Sequence, residues 1–369
     1  MYDSIFPTAD TIPVHWLWFQ VLLVFTFFIH MILMNLLLGG SVLTAWDLLT
    51  GKPEKRASGS IPTLVALTVN FGVPPLLFVQ VLYGHFFYTS SVMLGVPWIL
   101  VIPILILAYY GAYIFLKQND RAPNLSKGAL IFTCLSLLYI AFVFVNNNTL
   151  AIRPDRWGIY FANPGGGNLN LGEPTLWSRY LHFLLAALAI GALGRALAYH
   201  FSKLDETEKK SQIKRNLKIF GWITVIQFAV GSWFWLTMPD TVWKIFMGES
   251  FFATSMMVAG WLLALLILHS AFTGRLVSAM ILGALEVLVM VIVRDLARGA
   301  YLKELFRPSQ LENVGEQSPL VAFLLVFVVG LIALYYMIRL ISKSKTSQSP
   351  YIVYNCTVSI DQAFQPTLR

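Results

Sequence analysis

The sequence predicts an all-α fold, a polytopic membrane helix bundle with nine transmembrane helices. Of its 369 residues 57% are hydrophobic and only 12% charged, and the mean hydropathy of +0.69 lies far outside the range of a soluble globular domain. The apolar runs near residues 14–49, 61–92, 97–116, 128–146, 176–200, 216–238, 251–272, 277–296 and 318–342 each reach the roughly 20 residues that one bilayer crossing needs. The first two exceed one crossing, so their ends must project into the interface or lie along it. Nine crossings put the termini on opposite sides.

Basic residues set the orientation. Lys52, Lys55 and Arg56 follow the first run, and Lys117, Arg121 and Lys127 the third. Lys203, Lys209, Lys210, Lys214, Arg215 and Lys218 follow the fifth, Arg275 the seventh, and Lys343 and Lys345 the last. All fall on one face of a nine-helix bundle, and the positive-inside rule makes that face cytoplasmic, with the N-terminus outside. Loops 147–175 and 297–317 mix both signs. The net charge of +8 is therefore a consequence of topology, and nucleic-acid binding need not be invoked. The first ten residues carry no basic n-region of a cleavable signal, so the first helix is expected to insert directly. The expected organisation is a transmembrane bundle over 1–342 and a polar cytoplasmic tail over 343–369, in a bacterial inner membrane. No internal repeat is evident.

The chemistry rests on histidines at membrane depth. His182 lies in an apolar run from Trp177 to Leu193, and His30 and His85 lie in similar stretches. A neutral imidazole in hydrocarbon needs a partner for each nitrogen, and the common answers are a heme iron, a proton path or a quinone. The two cysteines, Cys134 and Cys356, form no Cys-x-x-Cys-His run, which excludes covalent c-type heme and an iron–sulfur cluster bound by this chain alone.

Depth narrows the ligands. His182 is about two turns from the outer end of the fifth helix, and Met256 and Met257 are as far into the seventh, so His182 and Met257 satisfy the depth condition for a His/Met pair. Met257 alone reads more simply as core filler, one of eleven methionines. His85 follows Gly84, which could admit a flat macrocycle, but an interfacial histidine among belt aromatics is an equal reading. A second scheme pairs His30 with His269 at an inner site and His85 with His182 at an outer one; periodicity does not choose between them. His15 and His200 are at helix ends, where a solvated role is expected. Glu286 in the eighth helix is a buried acid that needs a partner or a proton.

Several segments together resemble subunit I of the cytochrome bd quinol oxidases. The stretch from Phe19 and Gln20 through His30 to Gly39 and Asp47, ending Thr50-Gly-Lys, is similar to that family's first helix, with its heme-ligating histidine. Gly72-Val-Pro-Pro-Leu-Leu-Phe and Gly95-Val-Pro-Trp resemble its second and third helices, His182-Phe-Leu-Leu-Ala-Ala its fifth, and Met257-Val-Ala-Gly the methionine element of its seventh. Val293-Arg-Asp-Leu-Ala-Arg-Gly-Ala-Tyr resembles a degenerate Glu-x-Gly-Arg-Gln-Pro-Trp signature, with Asp295 at the place of a heme-ligating glutamate. The likeness spans eight of the nine helices in order, and implies that His30 belongs to the outer half.

The departures from that family concern oxygen chemistry. Val101 and Tyr109 stand where its third helix has two proton-delivering glutamates, and residues 239–250 replace a long polar quinol-oxidising loop. The resemblance thus implies a b-type cytochrome carrying more than one heme b, with Arg179, Arg294 and Arg298 as partners of heme propionates. It would pass electrons between the quinone pool and a periplasmic c-type cytochrome or a companion membrane subunit, with quinone or quinol as a further ligand. Whether it is a quinol-linked oxidoreductase is left open by the sequence. Two alternatives stand beside it: a quinol oxidase subunit that reduces oxygen with a proton path built from other groups such as Glu286, and a heme-free membrane anchor or transporter built on helices broken at Pro74, Pro75, Pro97 and Pro103.

Overall fold

The structure, a computed structural model, describes residues 7–51, 61–118 and 121–347. Lys52, Lys55, Arg56 and Cys356 lie outside the described residues, as do the first six residues and the segment beyond 347. Among the described residues nine long helices follow one another: α1 Trp16–Leu49, α2 Ile61–Leu94, α3 Val96–Gln118, α4 Pro123–Ala151, α5 Pro174–His200, α6 Glu206–Leu236, α7 Phe251–Phe272, α8 Leu276–Leu302 and α9 Ser318–Ser347. The first eight are long and apolar enough to cross a membrane; in α9 the apolar part is Ser318–Ala333. α9 continues through Ser347, so the beginning of the expected tail is helical.

Helix ends extend beyond the apolar runs because polar residues propagate a helix once its first turn is capped. Asp205 accepts hydrogen bonds from the backbone N–H groups of Thr207 and Glu208 at 3.2 and 3.1 Å, so α6 begins ten residues before its apolar run, and Lys209 to Lys218 are helical. Pro123 and Pro174 occupy first-turn positions of α4 and α5, where no N–H is needed. At its C-terminal end α4 takes in Asn146, Asn147 and Asn148, so the helix runs past the apolar stretch 128–146 into the expected loop 147–175. α8 runs to Leu302, so Ala297 to Tyr301, expected as loop, continue the helix that carries Asp295.

α1 is the central helix, packed on α2, α4, α5 and α8; α3 pairs with α4, α5 with α6, and α7 with α6 and α8. Its crossing with α5 is very close. A Cβ on Gly39 would lie 1.8 Å from the Ala187 carbonyl oxygen, and one on Gly191 would lie 2.4 Å from the carbonyl carbon of Gly39. Small residues here let two backbones touch, and dispersion over that contact replaces the hydrophobic drive that lipid does not supply. Near the far ends of these helices Arg195 of α5 and Arg215 of α6 both donate to Asp47 of α1, the Arg215 bond being 2.6 Å. Asp47 and Arg195 are almost fully buried, so the bridge ties three helices with a charge pair that lipid cannot hydrate.

The opposite end is closed by irregular segments. Ile12 pairs with the 312–314 segment through bonds of 2.8 and 3.0 Å. The loop between α4 and α5 is fastened to the end of α2 by the N–H groups of Gly167 and Asn168, which bond the carbonyls of Leu94 and Met93. Gly95, at φ +56°, turns the chain from α2 into α3 while passing the Gly166 backbone, where a Cβ would meet Gly166 Cα at 3.0 Å. Arg153 bonds Glu173 and Asp155 at 2.8 Å each, and the Arg153 hydrogen bond holds the Asp155 carboxyl below the usual range for an aspartate. These bonds fasten the loop to the bundle as a cap.

Candidate functional site

His182 sits on the face of α5 that meets α6. Its ring occupies space left by Gly231, where a Cβ would come within 3.2 Å of the ring Cε1. One turn earlier on α6, Gln227 donates to the His182 backbone carbonyl at 3.0 Å, which fixes the register of the two helices. His182 Nδ1 is sealed from solvent and has no hydrogen-bond partner. Arg179 lies less than a turn before it, almost fully buried, with its guanidinium 5.0 Å from the Phe234 ring centroid and a sealed, unpartnered Nε. An imidazole nitrogen and a guanidinium nitrogen left without partners at membrane depth point to a polar group that the protein itself does not provide.

Met257 lies on α7 within an apolar cluster that includes Met256, Met290 and Val289, with Val293 and Ala297 of α8 at its centre. α5 and α7 both pack against α6; His182 faces Gly231 of that helix, and Met257 packs in the cluster shared with α8. Gly260, one turn along α7, admits Met290, and Glu286 Oε1 lies 3.7 Å from the position of its missing Cβ. Glu286 Oε2 is sealed and has no partner.

His30 belongs to a second place. α2 is interrupted there, because Pro74 and Pro75 donate no hydrogen bond and Tyr83 leaves the helical region at φ −133°, ψ 29°. His30 Nδ1 lies 3.1 Å from the Thr68 carbonyl oxygen, and its ring fills the place of a side chain on Gly72. Since a carbonyl only accepts, Nδ1 carries the proton and Nε2 keeps its lone pair, the tautomer of a metal-ligating histidine. The ring lines a cavity among α1, α2, α4 and α8, together with Phe27, Tyr83, Asn148, Arg294 and Arg298.

The arginines converge on this region. Arg294 donates to Asn148 Oδ1 at 3.1 Å and lies 4.4 Å from the Phe27 ring centroid; Arg298 lies 4.3 Å from that of Tyr83. Arg294 is within electrostatic reach of both Arg298 and Arg179. Asp295 pairs with Arg298 and accepts from Gln20 Nε2 at 2.6 Å, so its carboxylate is fully engaged. These arginines, with Arg153, share two carboxylates among the described residues: Asp295, which pairs with Arg298 and also faces Arg294, and Glu173, which bonds Arg153 and also faces Arg179. Buried cations in such surplus require anionic partners.

His85 is elsewhere. Its ring lies between Phe86 and Phe306, with centroids at 4.2 and 4.6 Å, and it does not line the His30 cavity. A Cβ on Gly84 would meet nothing closer than Tyr88, at an ordinary 3.4 Å, so that glycine is not needed to admit a bulky group. His269 is exposed on α7, and no α7 residue lines the His30 cavity, so the structure does not assemble the His30 and His269 pair. Tyr109 bonds Tyr113 at 3.3 Å on α3, away from both histidine sites. The sequence offers Gly72 only as part of a helix motif and gives no role to Gly231, Gln227 or Tyr83; Gln227 and Gly231, four residues apart on one apolar helix, are the legible sign among them.

No family profile and no curated protein matches the sequence. Among solved structures the chain is similar to one described as the structure of bd oxidase from Geobacillus thermodenitrificans, with a TM-score of 0.69 and 13% identity, over 89% of this chain and 98% of that one. At that identity the likeness concerns the fold. The chain is an all-α, multi-pass membrane helix bundle with a bd-oxidase-like fold.

Proposed function

We propose that the chain is a b-type heme protein of the membrane, related to subunit I of the cytochrome bd quinol oxidases, that passes electrons between the quinone pool and a periplasmic or membrane partner. The observation that carries this reading is the set of unpartnered buried groups: His182 Nδ1 opposite Gly231, and Arg179 Nε beside it. His182 and Met257 would hold one iron and His30 a second. Arg179, Arg294 and Arg298 would neutralise propionates. When bound, heme supplies reversible one-electron chemistry. The residues bind and orient it: the Thr68 carbonyl fixes the His30 tautomer, Gln227 fixes the α5–α6 register, and the apolar helix faces exclude water.

Asp295 is read here as a positioning group that aims Arg298, because Gln20 and Arg298 already occupy its carboxylate. His85 is read as an interfacial aromatic neighbour. The bd-oxidase-like fold supports a respiratory-type membrane setting; a bacterial inner membrane, and a companion subunit or c-type cytochrome as partner, are part of the proposal. Purified protein should give a b-type pyridine hemochrome, and its bands should be reduced by a soluble quinol analogue without oxygen uptake. Sustained oxygen consumption by the heme-replete protein would favour the oxidase instead.

A heme-free transporter is the second reading, favoured by the interrupted α2 beside a polar-lined cavity. Protein that folds and remains heme-free through purification would establish that alternative.

A further inference from the structure

The end of α4 that leads into the 152–173 loop carries three consecutive asparagines directly after the apolar stretch 137–145. Asparagine is a poor helix former, and its amide is costly at membrane depth unless it is hydrogen-bonded. Asn146 is fully buried and Asn147 nearly so. Asn146 Oδ1 accepts from the Asn170 backbone N–H at 3.0 Å, and Asn170 Nδ2 reaches Thr149 Oγ1 at 3.4 Å. Asn147 accepts from Ser90 at 3.2 Å and donates to Ser91 at 3.0 Å, both on α2. Asn148 receives the Arg294 bond.

The two ends of this row open on different spaces. Asn170, with Asn168 and Leu150, lines a depression in the surface of the loop over 152–173. Asn147 and Asn148 line the cavity that holds His30 and Arg294. Between them Asn146 Nδ2 is sealed and has no protein partner, an open donor in the middle of a buried polar row. A purely structural cap would leave no such donor, because the amide could have been satisfied by neighbouring carbonyls.

We propose that Asn146, Asn147 and Asn148, with Ser90, Ser91 and Asn170, form an aqueous access path between the surface of the 152–173 loop and the cavity beside His30. Its ligand is water and the protons water carries. None of the six side chains titrates near neutral pH, so the path conducts through ordered water held by amides and hydroxyls. The charged and titratable groups at its inner end are Arg294, Arg298, His30 and Tyr83, with Asp295 held on Arg298. Any protonation change in the cavity would then equilibrate with one aqueous phase, the one facing this loop. The inference rests on the polar row and does not require heme.

Cysteine accessibility tests it. In a Cys134→Ser/Cys356→Ser background, intact and inverted vesicles are treated with membrane-impermeant sulfonatoethyl methanethiosulfonate. Phe161→Cys, on the exposed loop, reports which side carries the loop, and Leu135→Cys, on the exposed apolar face of α4, is the lipid control. The path predicts that Asn148→Cys and Ala151→Cys label from the same side as Phe161→Cys, and that adding Asn146→Leu abolishes the Ala151→Cys labelling. Ala151 contributes no side-chain hydrogen bond, so it serves if Asn148→Cys fails to fold. Unlabelled Ala151→Cys in vesicles where Phe161→Cys labels, or labelling indifferent to Asn146→Leu, would overturn the path. Either result leaves the heme content, measured separately, to decide the proposed function.

Discussion

A side chain on Gly231 would collide with the imidazole of His182, its Cβ falling 3.2 Å from Cε1 and 3.3 Å from Nδ1. The missing side chain of α6 therefore sets where the α5 histidine can stand. Gly231→Leu should displace the ring and abolish the absorption that depends on His182 while leaving membrane insertion intact. Gly231→Ala needs a shift of only a few tenths of an ångström and should reduce the signal less. Visible spectra beside size-exclusion profiles of the same preparations check both.

The bridge from Asp47 to Arg195 and Arg215 predicts a large stability effect. Removing Asp47 takes the shared carboxylate from two arginines, so Asp47→Ala should cost about 3–5 kcal/mol. The double variant Asp47→Leu/Arg195→Leu should melt above the single one, because it also removes the more deeply buried of the two cations that lost that carboxylate. Thermal unfolding in detergent distinguishes the two orders.

The α1–α5 crossing predicts a contrast between adjacent glycines. Gly39→Ala places a methyl 1.8 Å from the Ala187 carbonyl oxygen, whereas a Cβ on Gly40 meets nothing within 4 Å. Overpacking of this kind costs roughly 1–3 kcal/mol or more, so Gly39→Ala should lower the melting temperature and Gly40→Ala should leave it near that of the parent.

These contrasts also show what the sequence could and could not disclose. The apolar runs located every long helix, because each must satisfy its own backbone in lipid whatever its neighbours do. The boundaries failed where polar residues remain helical: α6 starts at Glu206 on the Asp205 cap, and α8 carries Arg294, Asp295 and Arg298 inside the bundle. The candidate site was legible only as residue types at a depth. Periodicity set His182 on a helix but said nothing of Gly231, whose role exists only across the α5–α6 contact. His85 and His30 were indistinguishable until α2 was seen to bend and leave one ring in a cavity and the other against Phe306.

The Arg153 cluster carries a pH prediction for the loop over 152–173. The Arg153 hydrogen bond depresses the Asp155 carboxyl in the folded protein. The contribution is therefore present above the unfolded value of about 4 and is lost as pH falls through the lowered folded value. Asp155 is half exposed, so the effect is small and screened by salt. Proteolysis of the 152–173 loop should be flat from pH 5 to 8 and rise only in stronger acid, and Asp155→Asn should remove Asp155's part of that rise.

The central claim is that His182 and Met257 hold a heme. A reduced-minus-oxidised spectrum with pyridine hemochrome quantitation, on the parent beside His182→Ala, Met257→Leu and His30→Ala, tests it most directly. The account predicts b-type bands that fall in both His182→Ala and Met257→Leu, with a separate component lost in His30→Ala. A folded parent without heme, or spectra unchanged by His182→Ala, would contradict it.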